Sequence, residues 1–128
     1  MRVRYAVVDD APFVRELIKS VMNSLGHLFV GEAGDGDEAM AMVARVLPDI
    51  VFMDLVLPKK NGVAVAKEMK AKWPDVYLIA CSTLEPSEVP GFHEPQIFQG
   101  WLPKPFSKEQ IDLCLKQIER KNKKEAKT

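Results

Sequence analysis

Asp49-Ile-Val-Phe-Met-Asp-Leu-Val-Leu-Pro58 is the stretch of sequence that decides the fold. It opens into an apolar run of bulky and β-branched residues, which is typical of a strand covered on both faces in a parallel sheet. This run ends at Asp54. In open α/β sheets the carboxyl ends of the strands border the crevice where ligands bind, so Asp54 is a candidate for chemistry.

Length and composition limit the class of protein. The chain has 128 residues, 47% of them hydrophobic, which suits one domain with a conventional core. No apolar segment approaches the roughly 20 residues that span a bilayer, and the amino terminus lacks the apolar region of a secretory signal. We therefore expect a soluble, cytoplasmic protein without a membrane partner. Cys81 and Cys114 fall on apolar patterns, which indicates small core residues rather than a disulfide.

Positive charge is concentrated at the carboxyl end of a chain whose formal net charge is zero. From Glu119 onward there are five Lys or Arg residues against two Glu residues. No aromatic residue interleaves these lysines and no recognition-helix motif precedes them, so we do not expect nucleic-acid binding. We assign residues 1–120 to one domain and residues 121–128 to a basic, disordered tail at the fraying end of the last helix.

Strand and helix patterns alternate along the chain. Apolar runs predict five strands, at residues 3–8, 28–33, 50–54, 76–81 and 101–103. Apolar residues at helical spacing predict helices after the first, second, third and fifth strands, and a capping box starts the last of them at Ser107. Strands that alternate with helices predict an α/β fold with a doubly wound parallel sheet and right-handed crossovers.

The segment between the fourth and fifth strands departs from this alternation. Pro86, Pro90, Gly91 and Pro95 fall within ten residues, which opposes a regular helix. We expect an irregular or shortened fourth helix. The sequence leaves open whether residues 85–98 form a surface loop or a recognition segment.

Polar side chains follow four of the five predicted strands. These residues are Asp9 and Asp10 after the first strand, Asp54 at the third, Ser82 and Thr83 after the fourth, and Lys104 after the fifth. In the strand order 2-1-3-4-5 the second strand, which lacks such a residue, lies at the edge of the sheet. The other four strands then open into one crevice.

Three carboxylates in one crevice repel one another, by about 4 kcal/mol per pair at contact range with an effective dielectric of about 20. They need a cation. An all-oxygen set suits Mg²⁺ better than Zn²⁺, because His27 and His93 do not lie at strand ends and are expected at the surface. With the acids neutralised, Asp54 can act as a nucleophile, Ser82 can donate a hydrogen bond to a transferred oxyanion, and Lys104 can balance its charge. A phosphoryl group suits this arrangement.

The same residues resemble the receiver domain of two-component response regulators over nearly the whole chain. The matching motifs are Val7-Val-Asp-Asp10, Met53-Asp54 followed by Pro58 and Gly62, Ser82-Thr83, and Lys104-Pro105-Phe106. The resemblance implies that Asp54 is a phosphoacceptor that takes its phosphoryl group from a histidine kinase or a histidine phosphotransfer protein. It also implies a switch rather than an enzyme, similar to the stand-alone chemotaxis and phosphorelay regulators, with a downstream protein partner that the sequence does not name.

Further roles follow from the resemblance. Asp10, Asp54 and the backbone carbonyl of Val56 would bind Mg²⁺, and Asp9 would act chiefly through water. Ser82 would be the switch hydroxyl, Lys104 the phosphate partner before a cis-proline, and Trp101 the aromatic residue whose rotamer reports activation. Val56 and Thr83 stand where other receivers often have a polar and a very small residue. Their identity would affect the access of water to the site.

Two other functions stay open on the sequence alone. One is a receiver-like binding module that signals without phosphorylation, which would suit the altered fourth-helix region. The other is a small Mg²⁺-dependent phosphatase or phosphotransferase acting on a diffusible substrate. The presence of every chemical residue counts against the first, and the lack of a lid insertion or second pocket counts against the second.

Overall fold

The described residues form five strands and four α-helices in strict alternation up to the fourth strand. The computed structural model describes residues 2–89 and 97–126, with side chains up to residue 120. The strands are β1 (Arg4–Val8), β2 (Leu28–Ala33), β3 (Ile50–Asp54), β4 (Tyr77–Ser82) and β5 (Gly100–Pro103). The helices are α1 (Pro12–Ser24), α2 (Gly36–Val46), α3 (Gly62–Lys72) and α4 (Lys108–Ala126).

The strands form one parallel sheet in the order β2-β1-β3-β4-β5. This confirms the predicted doubly wound α/β fold and its strand order. The register aligns Val8 with Met53, and Asp54 with Cys81. The carboxyl ends of β1, β3 and β4 therefore lie side by side, with β5 next to β4.

The two faces of the sheet carry separate cores, as the unbroken apolar character of β3 predicts. Ile50 and Phe52 of β3 belong to a buried cluster that also contains Tyr5 and residues of α1 and α4. Val51 and Met53 belong to a second cluster, with residues of α2 and α3. Successive side chains of a strand point to opposite faces, so every residue of β3 before Asp54 is buried in one of the two cores.

Local sequence signals set the helix ends. Pro12 is the first residue of α1, and Gly26 follows the helix with a φ of 88° that favours glycine. Ser107 and Gln110 form the predicted capping box, in which each side chain bonds to the backbone N–H of the other residue, at 3.2 and 2.8 Å. The predicted start of the last helix at Ser107 therefore agrees with the structure, in which α4 begins at Lys108.

The region after β4 contains a short 3-10 turn, Pro86–Glu88, within the described residues. The expected irregularity of the fourth helix agrees with this turn, whereas Pro90, Gly91, His93 and Pro95 lie outside the described residues. At the other end, α4 continues to Ala126, beyond the domain boundary predicted at residue 120. Residues 121–126 contain no proline or glycine and are rich in lysine and glutamate, which are good helix formers. Their backbone is helical rather than disordered.

Among the described residues, no helix combines the length and the apolar character that crossing a bilayer requires.

Candidate functional site

The polar residues at the strand ends converge at one edge of the sheet. Asp9 and Asp10 follow β1, Asp54 is the last residue of β3, and Ser82 is the last residue of β4. Lys104 follows β5, and its backbone N–H donates to the carbonyl of Ser82 at 2.8 Å. The structure therefore brings together the residues that the sequence predicts for this crevice.

Three carboxylates form the acidic part of the site. Asp9, Asp10 and Asp54 each offer an oxygen, and these oxygens all lie within 4.8 Å of one another. Asp9 and Asp54 are buried, whereas Asp10 is exposed. Buried carboxylates need a cation or hydrogen bonds to remain charged, so this cluster has both the donors and the electrostatic demand of a cation site.

Lys104 supplies part of the compensating charge. Its ammonium group lies 2.8 Å from Oδ2 of Asp9 and 3.6 Å from Oδ1 of Asp54. Burial disfavours the charged lysine, but the hydrogen bond to Asp9 and the charge of Asp54 outweigh burial and raise the pKa of Lys104. The peptide bond between Lys104 and Pro105 is cis, as the resemblance implied. One lysine beside three carboxylates leaves a net negative site.

Asp54 has the environment of a carboxylate that is costly to keep charged. Burial raises its pKa, and the charges of Asp9 and Asp10 act in the same direction. The backbone N–H of Val56, which donates to Oδ1 of Asp54 at 3.0 Å, and the charge of Lys104 oppose this rise. A bound cation would act in the same sense as Lys104 and hold the carboxylate in its nucleophilic form.

A close backbone approach holds the loop that follows Asp54. A Cβ atom at Gly62 would lie 2.5 Å from the carbonyl oxygen of Asp54 and 2.5 Å from Cα of Leu55. The Gly62 N–H donates to the carbonyl of Leu55 at 3.1 Å, and Val56 pairs with Asn61 across the loop. Glycine is therefore required at the start of α3 so that this helix can lie against the end of β3.

Two exposed side chains flank the acids. Val56 is 65% exposed, and Thr83 is also exposed. Ser82 is buried, and its hydroxyl oxygen accepts a hydrogen bond from the backbone N–H of Leu84 at 3.0 Å. Val56 and Thr83 thus border the solvent side of the site, while Ser82 lies beneath its surface.

Trp101 packs behind this site. A small buried cluster joins Leu55, which follows Asp54, to Val63, Ala80 and Val89, and Trp101 packs partly buried against it. The indole packs against the apolar residues that support the strand end carrying Asp54.

The site fits a small divalent cation. Its donors are carboxylate oxygens, Asp10 is open to solvent and to hydrating water, and the nearby positive charge is insufficient to neutralise the acids. Oxygen donors with few protein ligands and room for water match the preferences of Mg²⁺. The donor set does not match Zn²⁺, which favours nitrogen and sulfur ligands.

Comparison with known proteins decides the family. The family model described as the response regulator receiver domain matches residues 6–116. The chain belongs to the response regulator receiver family. The matched range begins within β1 and ends within α4, so it includes β2 to β5 and α1 to α3 of this receiver.

Individual relatives agree with this assignment. The receiver is 37% identical over 84 residues to the chemotaxis protein CheY of Thermotoga maritima, an overlap that covers 66% of this chain and 70% of that protein. Among solved structures, the chemotaxis response regulator CheY4 of Vibrio cholerae has a TM-score of 0.78 at 23% identity, over 94% of this chain and 98% of that one. The CheX-CheY complex of Borrelia burgdorferi, solved with beryllium fluoride and magnesium, gives a TM-score of 0.84 at 20% identity, over 90% of this chain and 87% of that one. Both structural likenesses establish the fold.

Two features of the receiver were not predicted. Arg15 and Glu32 contact each other beside Asp9, although no candidate residue was expected on the second strand. A charged residue near the end of an edge strand is the signal that could have indicated Glu32. His27, expected at the surface, is partly buried, and its Nδ1 accepts a hydrogen bond from the Val3 N–H at 3.1 Å.

Proposed function

We propose that this receiver is a phosphorylation-activated switch in which Asp54 is the phosphoacceptor. The observation that carries the proposal is the clustering of Asp54 with two other carboxylates and Lys104 at one sheet edge. A structural role alone would not require three acids to share a site where two of them are buried. The proposed donor is a phosphohistidine on a histidine kinase or a histidine phosphotransfer protein, and the downstream protein is not defined by the site.

In the transfer, the protein forms one covalent bond, at Asp54. A carboxylate oxygen of Asp54 attacks the phosphorus, the new O–P bond forms, and the P–N bond to the donor imidazole breaks. The leaving imidazole nitrogen takes up a proton. Lys104, 3.6 Å from Oδ1 of Asp54, can balance the charge of the phosphoryl oxygens, and the Ser82 hydroxyl can donate to one of them after leaving its contact with Leu84.

Mg²⁺ is the proposed cofactor. Asp10, Asp54 and the backbone carbonyl of Val56 would hold it, with Asp9 acting chiefly through water. When bound, it would neutralise the carboxylates and offset the negative charge of the phosphoryl group. The main-chain N–H of Val56 already fixes the orientation of the Asp54 carboxylate at 3.0 Å.

The proposed switch runs through Ser82 and Trp101. Movement of Ser82 toward the phosphoryl group would change the packing beneath the site, and Trp101 contacts the cluster that lies there. A phosphoryl mimic such as beryllium fluoride should therefore change Trp101 emission by shifting a two-state equilibrium. The measurement needs a Trp73→Phe background so that the second indole does not contribute. Identical Trp101 emission with and without the mimic would remove Trp101 from the switch.

Labelling with a small phosphodonor tests the phosphoacceptor. Incubation with acetyl phosphate and Mg²⁺, followed by intact-mass measurement, should add one phosphoryl group that is labile to base. Asp54→Asn and chelation of Mg²⁺ should each abolish the label, whereas Asp75→Asn, at an exposed acid outside the cluster, should not. Unchanged labelling of Asp54→Asn would overturn the assignment.

A further inference from the structure

Asp9 is held by hydrogen bonds at each of its polar atoms. Its backbone N–H donates to the carbonyl of Ala33 at 3.0 Å, and Oδ1 accepts from the backbone N–H of Ala11 at 2.9 Å. Oδ2 accepts from the ammonium group of Lys104 at 2.8 Å. The backbone carbonyl accepts from Nη1 of Arg15 at 2.7 Å. Arg15 therefore completes the fixation of a buried carboxylate in the acidic cluster.

The carbonyl of Asp9 needs a side-chain donor because the β-ladder has ended. The pairing of β1 with β2 stops at Val8 and Ala33. Beyond Ala33 the chain turns toward α2, which begins at Gly36, so β2 offers no further backbone N–H to the carbonyl of Asp9. A buried carbonyl left without a donor costs about 1–3 kcal/mol. If β2 were longer, one of its backbone N–H groups would donate to this carbonyl. Arg15 donates in its place.

Arg15 is itself fixed in place. Its Nε donates to Oε1 of Glu32 at 2.7 Å, and its side chain is 19% exposed. The other oxygen of Glu32 accepts from the ammonium group of Lys19 at 2.8 Å. The planar guanidinium of arginine can bond to Glu32 and to Asp9 at the same time, in a fixed geometry that a lysine does not reproduce.

We propose that Arg15 is a positioning residue for the cation site, acting through the backbone of Asp9 and anchored by Glu32. This inference rests on the proposed function, in which the acidic cluster binds Mg²⁺. Charge alone makes the opposite prediction. A guanidinium near three carboxylates disfavours a second cation, so removing its charge should tighten Mg²⁺ binding if geometry plays no part. The direction of the change therefore separates positioning from simple electrostatics.

Titration of the intact receiver with magnesium chloride tests the proposal. The dissociation constant for Mg²⁺ is measured by calorimetry and by amide NMR shifts, without a phosphodonor. Arg15→Met should weaken Mg²⁺ binding by about tenfold, the lower end of what loss of a residue that orients a metal ligand costs. Arg15→Lys keeps the charge but not the geometry and should weaken binding at least as much. It also serves as the second variant if Arg15→Met does not fold.

Lys19→Met is the matched control. Lys19 bonds to the same Glu32, and its side chain is 16% exposed, close to the value for Arg15, but its ammonium group pairs with Glu16 and Glu32 rather than with Asp9. This variant keeps both bonds of Arg15, to Glu32 and to the Asp9 carbonyl, and should therefore bind Mg²⁺ within about twofold of wild type. Urea unfolding of each variant establishes that the folded state is being titrated.

Each outcome has a defined meaning. Weakened binding in both Arg15 variants, with Lys19→Met unchanged, supports positioning. Equal or tighter binding in Arg15→Met overturns the inference, as does an equal loss in Lys19→Met, and in both cases the proposed function stands because wild type still binds Mg²⁺. Absence of Mg²⁺ binding in wild type at millimolar concentration overturns the proposed function and the inference with it.

Discussion

Gly62→Ala tests whether α3 lies as close to β3 as the structure indicates. The new methyl group would sit 2.5 Å from the Asp54 carbonyl oxygen and 2.5 Å from Cα of Leu55. Both obstacles are backbone atoms, so no side chain can rotate away to make room. The substitution must move either the start of α3 or the end of β3, where the acidic cluster begins.

The magnitude follows from three terms. Overpacking of this kind costs about 1–3 kcal/mol, and the upper end applies because the obstacle is backbone. Loss of the Gly62–Leu55 backbone hydrogen bond adds about 1 kcal/mol. Alanine gains about 1 kcal/mol over glycine in a helix, which opposes these losses. We expect the free energy of unfolding to fall by about 2–3 kcal/mol.

Urea unfolding measures this change. With a slope of about 1–3 kcal/mol per molar for a small domain, the midpoint should fall by about 0.7–3 M. Gly34→Ala is the matched control, because a Cβ at Gly34 would meet its nearest atoms at 3.7 Å, an ordinary contact. It should match wild type or be slightly more stable, since alanine reduces the entropy of the unfolded chain. A Gly62→Ala protein as stable as Gly34→Ala would refute the close approach.

Two further predictions concern phosphoryl lifetime and pH. Val56 cannot hydrogen-bond an attacking water and Thr83 adds bulk beside Ser82, so decay of phospho-Asp54 should be slow. Val56→Asn and Thr83→Ala should each speed this decay, measured on purified phosphoprotein. A tenfold change in rate corresponds to about 1.4 kcal/mol of activation barrier. Unchanged or slower decay in both variants would count against this reasoning. Burial lowers the pKa of His27, so the native state favours the neutral imidazole. The stability that the neutral imidazole contributes is fully present above the unfolded pKa of about 6.5. It is lost as the pH falls through the lower pKa of the folded state. The urea midpoint should therefore drop more between about pH 7.5 and pH 5 in wild type than in His27→Gln, and equal drops would exclude His27 as the cause.

The fold was predictable because its signals are local and repeated. The apolar run from Ile50 to Met53 can be accommodated only where both sheet faces are covered, and the alternation of strands with helices then selects the topology. The convergence of Asp54 with Asp9 and Lys104 follows from topology alone, because parallel strands place their carboxyl ends at one edge. These parts of the site needed no knowledge of side-chain contacts.

Other parts of the site were not predictable because they depend on tertiary contacts. The hydrogen bond from Arg15 to the Asp9 backbone carbonyl cannot be predicted from the sequence, because every residue has a backbone carbonyl that could accept it. The burial of His27 depends on the packing of the first strand against the turn that follows α1, and the proximity of Gly62 to the Asp54 carbonyl depends on the path of a loop. The extension of α4 to Ala126 was missed because lysine-rich ends were interpreted as fraying rather than as helix-forming.

Chemical mapping of the phosphorylated residue directly tests whether Asp54 is the phosphoacceptor. Sodium borohydride reduces an acyl phosphate to an alcohol and so converts a phosphorylated aspartate to homoserine. After labelling with acetyl phosphate, trypsin should release residues 46–59, which contain both Asp49 and Asp54, so that Asp49 is an internal control. We expect homoserine at position 54, and only when Mg²⁺ is present. Homoserine at Asp9, Asp10 or Asp49 with Asp54 unmodified would contradict it.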